Sequence, residues 1–443
     1  MGMFESEKEV SVLSSVYGEE NLAKEQARYE HLATKFKECF GEGEVDFFSA
    51  PGRTEILGNH TDHNHGKVLT ASIAMDTIAA ARKNGTSLVH VISEGYKAIT
   101  IDLENLDSEC KCKGTLSLLI GMFECAIKKG YKVEGFDAYI TTEVIGAAGV
   151  SSSASFEMLI CAIMNYFSNE GKIDYVEYAK IGQYAEHEYW LKQSGLLDQM
   201  ACAVGGVIAI DFKEEMPKVE KVEFGYDKLG YDLIIVNTGK GHADLSEEYS
   251  AVPVEMKRAA KVFGKEVLAD VDEKEFMANL NKVAQYFGKE VCAEISEEEV
   301  IANLAKVRAF AGDRSVMRAL HFFAEQKRVD TAVKAIKEED YETFLSCITK
   351  SGNSSWKWLQ NCFATKDETE QAVPVALALT ELFIEEEGRG YCRVHGGGFA
   401  GVIAAVLPKD LTPKYVEMMT PYMGEENIYV MQIRQTGAVH LDM

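Results

Sequence analysis

The stretch that most constrains the fold of this chain lies between Phe136 and Asn169, where three kinds of sequence follow one another. Its first part, "FDAYITTEV", alternates apolar and polar residues and predicts a strand. A loop of Gly and Ser, "IGAAGVSSSAS", comes next, and "FEMLICAIMNYFSN" then predicts a strongly apolar helix. The fold must therefore place a Gly-rich turn between a sheet and the N-terminus of a buried helix.

The Gly- and Ser-rich loop has the chemistry of a phosphate-binding site. Glycines allow positive φ angles and a close approach of a ligand to the backbone. At the start of a helix, free N–H groups and the helix dipole favour an anion. A serine cap on an ordinary helix is the alternative interpretation. The candidate phosphate-binding residues are Gly146, Gly149, Ser151, Ser152, Ser153, Ala154 and Ser155.

A second Gly-rich turn, "HGGGFAG", follows a predicted strand near the end of the chain. Consecutive glycines are unfavourable inside a helix or strand, because they lose much conformational entropy and pack no side chain. Gly396, Gly397 and Gly398 are therefore predicted to lie against a ligand or against the first loop. A tight bend between a strand and a helix is the alternative interpretation.

A third feature is the polar run within "APGRTEILGNHTDHNHGKVL", residues 50–69. Arg53 and Glu55 lie in its first half, and every residue from Asn59 to His65 is polar. The run has three possible interpretations, which are a surface loop, a metal site, or a pocket that binds the hydroxyls of a small polar molecule.

Length and charge limit the classes of protein that this chain can belong to. The chain has 443 residues, which predicts two domains, with a boundary near residues 212–228 that separates 1–220 from 221–443. Its net charge of −24 argues against binding nucleic acid through the phosphates. No apolar run approaches the roughly 20 residues that span a bilayer. The scattered cysteines form no C-x-x-C pair and predict free thiols in a reducing cytoplasm.

The order of the predicted elements is mixed α+β, without a regular alternation of strands and helices. Residues 5–39 have helical periodicity, and residues 246–345 are mainly helical. "EVDFFSAP" predicts a short strand that ends at Pro51, and "ENIYVMQIRQTGAV" predicts one last alternating strand.

The three motifs together resemble those of the GHMP kinases, the superfamily of galactokinase, homoserine kinase, mevalonate kinase and phosphomevalonate kinase. The serine loop is similar to the second motif of that superfamily, and "HGGGFAG" is similar to the third. "GRTEILGNHTDHNHG" resembles the galactokinase motif Gly-Arg-x-Asn-Leu-Ile-Gly-Glu-His-Thr-Asp-Tyr-Asn-x-Gly. Further matches follow in order along essentially the whole chain, at "AEH", "GLLDQ", "SEEY" and "RALHFFAEQKRV".

This resemblance implies an α+β, two-domain GHMP kinase fold. The N-terminal domain would be ribosomal protein S5 domain 2-like, the C-terminal domain ferredoxin-like, and the active site would lie in the cleft between them. The implied reaction transfers the γ-phosphoryl group of ATP to the anomeric C1 hydroxyl of galactose, the first committed step of galactose catabolism, with Mg²⁺ as cofactor. We expect a cytoplasmic monomer or weak homo-oligomer that binds a monosaccharide and ATP, and neither nucleic acid nor a membrane.

The resemblance also assigns roles to individual residues. The catalytic pair of the family falls on Arg53 and Asp198. A carboxylate near the C1 hydroxyl can accept or orient its proton, and an arginine beside it would keep the carboxylate ionised. The family's Mg²⁺ ligands fall on Glu186 and on a serine of the second motif. Ser152 is the best match by offset, although its two serine neighbours are not separated from it.

The sugar contacts implied by the resemblance are Asn59, His60, Asp62, Gly195 and Tyr249. Asp62 matches the family residue that accepts hydrogen bonds from neighbouring ring hydroxyls, for which the two carboxylate oxygens are suited. Tyr249 matches the family tyrosine that lies beside the sugar.

The sequence departs from the galactokinase pattern at five positions. Asn59 replaces the usual Glu, which contacts the C6 hydroxyl, while Glu55 replaces the usual Asn and His63 the usual Tyr. Ile145 in place of Pro and Ala400 in place of Gly are milder changes.

The change at Asn59 raises a second candidate substrate. A glutamate would repel a carboxylate at C6, whereas Asn59 or His60 could donate a hydrogen bond to it, so galacturonate is an alternative to galactose. A non-catalytic sugar and ATP sensor is a further alternative, which the intact Ser153-Ala154-Ser155 sequence disfavours. A mevalonate- or homoserine-type kinase is disfavoured because those relatives lack the His-Thr-Asp run.

Overall fold

The computed structural model describes residues 4, 6–146, 149–192, 194–239, 246–276, 308–365, 368–369 and 371–443. These residues form a sheet of eight strands and a sheet of four strands, with helices packed against both. Each described helix is too short or too polar to traverse a bilayer.

The strands are β1 (Asp46–Leu57), β2 (Lys67–Lys83), β3 (Leu88–Ser93), β4 (Ile99–Asp102), β5 (Phe136–Thr142), β6 (Val207–Asp211), β7 (Lys218–Val222), β8 (Tyr231–Asn237), β9 (Tyr391–His395), β10 (Val402–Pro408), β11 (Ile428–Met431) and β12 (Val439–Leu441). The α-helices are α1 (Glu7–Tyr17), α2 (Leu22–Phe40), α3 (Thr115–Lys128), α4 (Ser152–Ser168), α5 (Tyr175–Glu188), α6 (Leu197–Val204), α7 (Ser246–Lys261), α8 (Asp313–Lys337), α9 (Tyr341–Ser354), α10 (Ala372–Glu387) and α11 (Thr412–Met423).

The first sheet is built on the long antiparallel pair of β1 and β2. Its strand order is β12-β1-β2-β5-β3-β4, and β6 also pairs with β2 and carries β7 at its edge. Apolar residues of α3, α4 and α5 pack on this sheet in one core, and those of α1 and α2 pack in another. Because helices cover both faces, most of β2 is buried on both sides, which its nearly continuous apolar sequence requires.

The second sheet has the strand order β11-β8-β10-β9, and every pair in it is antiparallel. Along the chain, β8 is followed by helices, then by β9 and β10, then by α11 and β11. This is the β-α-β-β-α-β arrangement of a ferredoxin-like domain. The predicted α+β architecture with a ferredoxin-like C-terminal part is therefore confirmed.

Two expectations about the elements need correction. β1 does not end at Pro51 but continues to Leu57, because a register shift between Pro51 and Arg53 accommodates the proline at a bulge. The division at residue 220, which lies within β7, stays a prediction. The last predicted strand is two short strands, and the second, β12, returns to pair with β1 of the first sheet. The C-terminal half therefore contributes its final strand to the N-terminal sheet.

Asp76 anchors the N-terminal helices to this sheet through buried charges. Its carboxylate is fully buried on β2 and accepts hydrogen bonds from Arg28 at 2.9 Å and from Arg434 at 2.8 Å. The hydroxyls of Tyr17 and Ser49 each donate to it at 2.5 Å. Burial alone would raise the pKa of Asp76, but the two arginines more than offset burial and hold the pKa below its usual value.

Replacing Asp76 should therefore destabilise the fold strongly. We expect Asp76→Asn to lower the free energy of unfolding by about 3–5 kcal/mol, because it leaves two arginines without their buried partner. Urea denaturation at neutral pH measures this loss. Since the folded-state pKa is depressed, the stabilisation is present above the unfolded pKa of about 3.9 and disappears as the pH falls through the folded value. Asp442→Asn, at an exposed ion pair with Lys8, is the control and should change little.

Candidate active site

Arg53 and Asp198 form the ion pair at the centre of the site. Arg53 lies on β1 directly after the bulge, and Asp198 lies in the first turn of α6. The Nε and Nη2 atoms of Arg53 each lie 2.8 Å from Oδ1 of Asp198. The Nη1 atom donates to the carbonyl oxygen of Gly149, so one guanidinium holds both the carboxylate and the serine loop.

Ser151 is the second partner of Asp198. It precedes the first turn of α4 with φ of 63°, a left-handed conformation that is strained for a residue other than glycine. In this conformation its hydroxyl donates to Oδ2 of Asp198 at 2.7 Å. Burial alone would raise the pKa of Asp198, but the charge and hydrogen bond of Arg53 and the Ser151 hydroxyl lower it to about 2. The side chain is 35% exposed, so an ionised carboxylate faces open space.

Glu186 lies in the last turn of α5, and its side chain is only 1% exposed. Its Oε1 atom accepts a hydrogen bond from the Ser153 hydroxyl at 3.3 Å and another from Lys192 Nζ at 2.7 Å. The amide of Gln199 donates to Glu186 Oε2 at 3.3 Å and to Glu157 Oε2 at 3.0 Å. Burial and the charge of Glu186 raise the pKa of Glu157 well above its usual value.

The donor pair of Ser153 and Glu186 fits Mg²⁺, because a hydroxyl and a carboxylate are hard oxygen ligands and Mg²⁺ takes few ligands from the protein. Ser153, rather than the Ser152 predicted by offset, is the serine that contacts Glu186. In the part of the chain that the structure describes, no cluster of three or more His, Cys, Asp or Glu could hold a metal ion. Residues 59–65, all of which are described, contain no such cluster.

The other phosphate-loop candidates divide into two groups. Gly149 has φ of 64° and lies between Arg53 and the third motif, whereas Gly146 is exposed. Ala154 and Ser155 are fully buried, and the Ser155 hydroxyl donates to the carbonyl oxygen of Ala50 at 2.8 Å. The side chain of Ser155 thus fastens α4 to the sheet and does not face a ligand, which corrects its assignment to phosphate binding. Residues 147 and 148 lie outside the described residues.

The third motif packs against the first loop and against Tyr249. A Cβ atom built on Gly396 would lie 3.9 Å from the carbonyl oxygen of Gly149. A Cβ on Gly397 would lie 2.7 Å from Cε2 of Tyr249, so only glycine allows the ring to lie there. Gly398 has φ of 75° and is in the left-handed region. Of the two interpretations of this glycine turn, close packing against the first loop is the one that the structure shows.

Asp62, Gly195 and Tyr249 come together from three separate segments of the chain. The Asp62 carboxylate lies directly against Gly195, where a Cβ atom would be only 1.8 Å from Oδ2. Tyr249 Oη lies 3.3 Å from Nε2 of His63. Burial raises the pKa of the Tyr249 phenol, and the charges of Asp62 and Asp198 raise it further. The predicted sugar residues Asp62, Gly195 and Tyr249 thus lie together, near the Arg53–Asp198 ion pair.

His60 is a neutral hydrogen-bond acceptor. Its Nε2 atom lies 2.9 Å from the carbonyl oxygen of Gly397, which can only accept, so Nε2 carries the proton. Burial and the nearby His63 lower the pKa of His60 to about 3, so the ring is neutral at neutral pH. Its Nδ1 atom is then a bare acceptor, buried and without a donor among the described residues. The expectation that His60 donates to a C6 carboxylate is therefore not supported.

Asn59 is fully buried and has no polar group left for a sugar. Its Nδ2 atom donates to Glu55 Oε1 at 3.0 Å and to the carbonyl oxygen of Gly396 at 2.7 Å. Its Oδ1 atom accepts hydrogen bonds from Asn361 at 2.8 Å and from Ser355 at 3.3 Å. This corrects the expectation that Asn59 faces C6, because all of its hydrogen-bonding capacity holds the third motif in place.

Sequence reasoning did not identify four residues that shape the site. Lys192 forms an ion pair with Glu186, and Glu157 accepts a hydrogen bond from Gln199 beside that pair. Arg393 is buried and donates to Glu55 Oε1 at 2.6 Å, which compensates the carboxylate beside Asn59. His395 accepts from the backbone N–H of Glu55 at 3.1 Å. The position of His395 and Arg393 next to the glycine turn was one available signal. Another was that Glu157 is the one charged residue in the apolar sequence "FEMLICAIMNYFSN".

Two family models and several curated proteins match this chain. The galactokinase galactose-binding signature matches residues 34–83, and the N-terminal domain of GHMP kinases matches residues 117–206. The galactokinase of Clostridium tetani is 28% identical over 85% of this chain and 88% of its own length. That of Lactococcus lactis subsp. lactis is 28% identical over 93% of this chain and 96% of its own.

Solved structures show the same relationship. The crystal structure of Lactococcus lactis galactokinase complexed with galactose has a TM-score of 0.72 and 25% identity. The match covers 93% of this chain and 99% of that one. The Methanococcus jannaschii mevalonate kinase, at 14% identity and a TM-score of 0.55, shares the fold.

The contacts of Asn59 predict that the departures from the galactokinase pattern at Asn59 and Glu55 compensate each other. We expect Asn59→Glu alone to lower the free energy of unfolding by about 3–5 kcal/mol, because it places a second carboxylate against Glu55 in a buried space. Glu55→Asn alone should cost a similar amount, because it leaves Arg393 buried without its partner.

The double variant that carries both changes restores the Asn and Glu of the family pattern. We expect it to be more stable than the sum of the two single effects by about 1–3 kcal/mol. Chemical denaturation of the four proteins of the cycle measures this coupling. Additive losses would show that the two positions are independent.

Proposed function

The chain belongs to the galactokinase family of GHMP kinases, and we propose that it transfers the γ-phosphoryl group of ATP to the anomeric C1 hydroxyl of galactose, giving galactose 1-phosphate and ADP. The observation that carries this proposal is the Arg53–Asp198 ion pair at the N-terminus of the serine helix, beside the buried polar run. The groups on one side of this pair can bind phosphates, and the groups on the other side can bind hydroxyls.

Asp198 would act on the C1 hydroxyl. With a pKa of about 2, it is ionised in the free protein at neutral pH and can accept a hydrogen bond from the hydroxyl. So weak a base takes the proton late, as the new bond between oxygen and phosphorus forms, and before that it orients the nucleophile. Phosphoryl transfer depends mainly on positioning and charge neutralisation, which suits a carboxylate held at two points by Arg53 and Ser151.

Arg53 and the start of α4 would stabilise the transferring phosphoryl group. The guanidinium already contacts the serine loop through Gly149, and the first helical turn presents free N–H groups to an anion. When Mg²⁺ is bound with ATP it neutralises charge on the phosphate oxygens, and Glu186 with Ser153 would hold it.

The sugar pocket favours a neutral hydroxymethyl group at C6 over a carboxylate. Asp62 offers two acceptor oxygens to ring hydroxyls, and the bare Nδ1 atom of His60 requires a donor. A carboxylate has no proton to give to either group at neutral pH. Asn59, the residue that raised galacturonate as an alternative, uses its amide within the protein. Galactose is therefore the substrate that we propose.

The wider setting of the activity is also a proposal. We infer a cytoplasmic enzyme that acts as a monomer or weak homo-oligomer. The described cysteines are all free thiols, as expected in a reducing compartment.

An assay of ADP release with a panel of acceptors tests the proposed activity. We expect turnover with galactose, a kcat/KM for galacturonate at least about 100-fold lower, and none with mevalonate or homoserine. The 100-fold figure corresponds to about 2.7 kcal/mol, the scale of a buried group left unpaired. Comparable turnover of galacturonate would refute the substrate assignment. ATP binding without turnover of any sugar would instead indicate a sensor.

Removal of the Asp198 carboxylate tests its role in the transfer. We expect Asp198→Ala to lower kcat by at least about 100-fold, because it removes the group that orients and deprotonates the C1 hydroxyl. The variant should also unfold at a lower temperature, because the Arg53 side chain is only 8% exposed and loses its partner, so kcat is measured below that temperature. A variant that keeps more than a few per cent of the wild-type kcat would show that another group performs this role.

A further inference from the structure

Lys192 places its ammonium group on the carboxylate that is the best candidate for holding Mg²⁺. Its Nζ atom lies 2.7 Å from Oε1 of Glu186. That same oxygen accepts the hydrogen bond from the Ser153 hydroxyl at 3.3 Å. A positive charge of the protein itself therefore lies next to the two oxygen donors that a divalent cation would use.

The surrounding charges explain why a cation is needed there. Glu186 and Glu157 are 1% and 0% exposed, and the amide of Gln199 joins them. Within the described residues, Lys192 is the one cation that forms an ion pair with either of these carboxylates. A buried carboxylate without a counter-ion is costly, so Lys192 stabilises Glu186 when no divalent cation is bound to it.

The backbone conformation at Leu191 positions Lys192 beside the end of α5. Leu191 has φ of 56°, which is strained for a residue with a branched side chain, and its side chain is 62% exposed. The turn that results lets the backbone N–H of Lys192 donate to the carbonyl oxygen of Glu186 at 3.0 Å. The chain thus folds back over the last turn of α5, with the left-handed residue that commonly ends a helix.

We propose that Lys192 is the resident counter-ion of the Glu186 site and exchanges with Mg²⁺ that arrives with the nucleotide. This inference rests on the proposed kinase function. The Lys192 side chain is 48% exposed and Glu186 only 1%, so the ammonium is the partner that can move. A charge tethered at a few ångströms competes with free ions at an effective concentration in the millimolar range. Free Mg²⁺ therefore binds weakly to the nucleotide-free protein, and the released ammonium can turn to the phosphate oxygens.

A Mg²⁺ titration of the nucleotide-free protein, followed by its thermal unfolding temperature, tests this exchange without using catalysis. In Lys192→Met, which keeps the length of the side chain but not its charge, we expect a lower unfolding temperature in chelator. We also expect half-saturation at about tenfold less Mg²⁺ than in the wild type, between the values for an exposed and a desolvated ion pair. Lys172→Met, which removes an exposed pair with Glu170, is the matched control and should titrate like the wild type.

Two further variants test whether the charge at position 192 and the carboxylate of Glu186 cause the effect. Lys192→Arg retains the charge and should keep a Mg²⁺ response close to that of the wild type. Adding Glu186→Gln to Lys192→Met should abolish the gain in Mg²⁺ affinity. An unchanged half-saturation in Lys192→Met, or a gain that survives Glu186→Gln, would overturn the proposal.

The outcome is separable from the proposed function. The titration reports on the Glu186 site whether or not the wild type releases ADP with galactose. If ADP release fails while Lys192→Met still gains Mg²⁺ affinity, the kinase assignment is wrong and the counter-ion role remains. If ADP release occurs and Lys192→Met gains no Mg²⁺ affinity, the kinase assignment stands and the counter-ion role is wrong.

Discussion

The guanidinium of Arg53 is the interaction on which the geometry of the site depends. It bonds to Asp198 at the start of one helix and to Gly149 in the loop before another, so it fixes the Asp198 carboxylate relative to the serine loop. Its position follows from the bulge at Pro51, which changes the register of β1 directly before the arginine. A local irregularity of one strand thus determines where the positive charge of the active site lies.

The second constraint is the set of hydrogen bonds that joins the polar run to the third motif. Asn59 and His60 donate to the carbonyl oxygens of Gly396 and Gly397, and His395 accepts from the backbone of Glu55. These bonds are buried, so loss of any one of them leaves a polar group without its partner. These bonds therefore join the glycine turn of the second sheet to β1 and to the turn that follows β1 in the first sheet.

The sequence predicted which residues form the site better than it predicted which partners their side chains contact. The resemblance to galactokinases implied roles for Arg53, Glu186 and Asp198, and the structure brings all three near the serine helix. The role of Asn59 was also implied by that resemblance, but its partners Asn361, Ser355 and Gly396 come from distant segments. No local pattern reveals that a side chain is already satisfied by such partners. The short strand β12 was not predicted as a separate strand, because its three residues carry too little periodicity.

Charge distribution connects these observations. A protein of net charge −24 must bind an anionic nucleotide, so it cannot rely on a positive field over its whole surface. Its attraction for phosphate has to come from a few fixed groups, and Arg53 and the first turn of α4 are two of them. The carboxylates Glu157, Glu186 and Asp198 lie beside these groups and would repel the nucleotide if left uncompensated. Arg53 compensates Asp198 permanently, whereas Lys192 compensates Glu186 only until a divalent cation replaces it. Arg53 and Lys192 therefore balance the charges of Asp198 and Glu186 before the nucleotide binds.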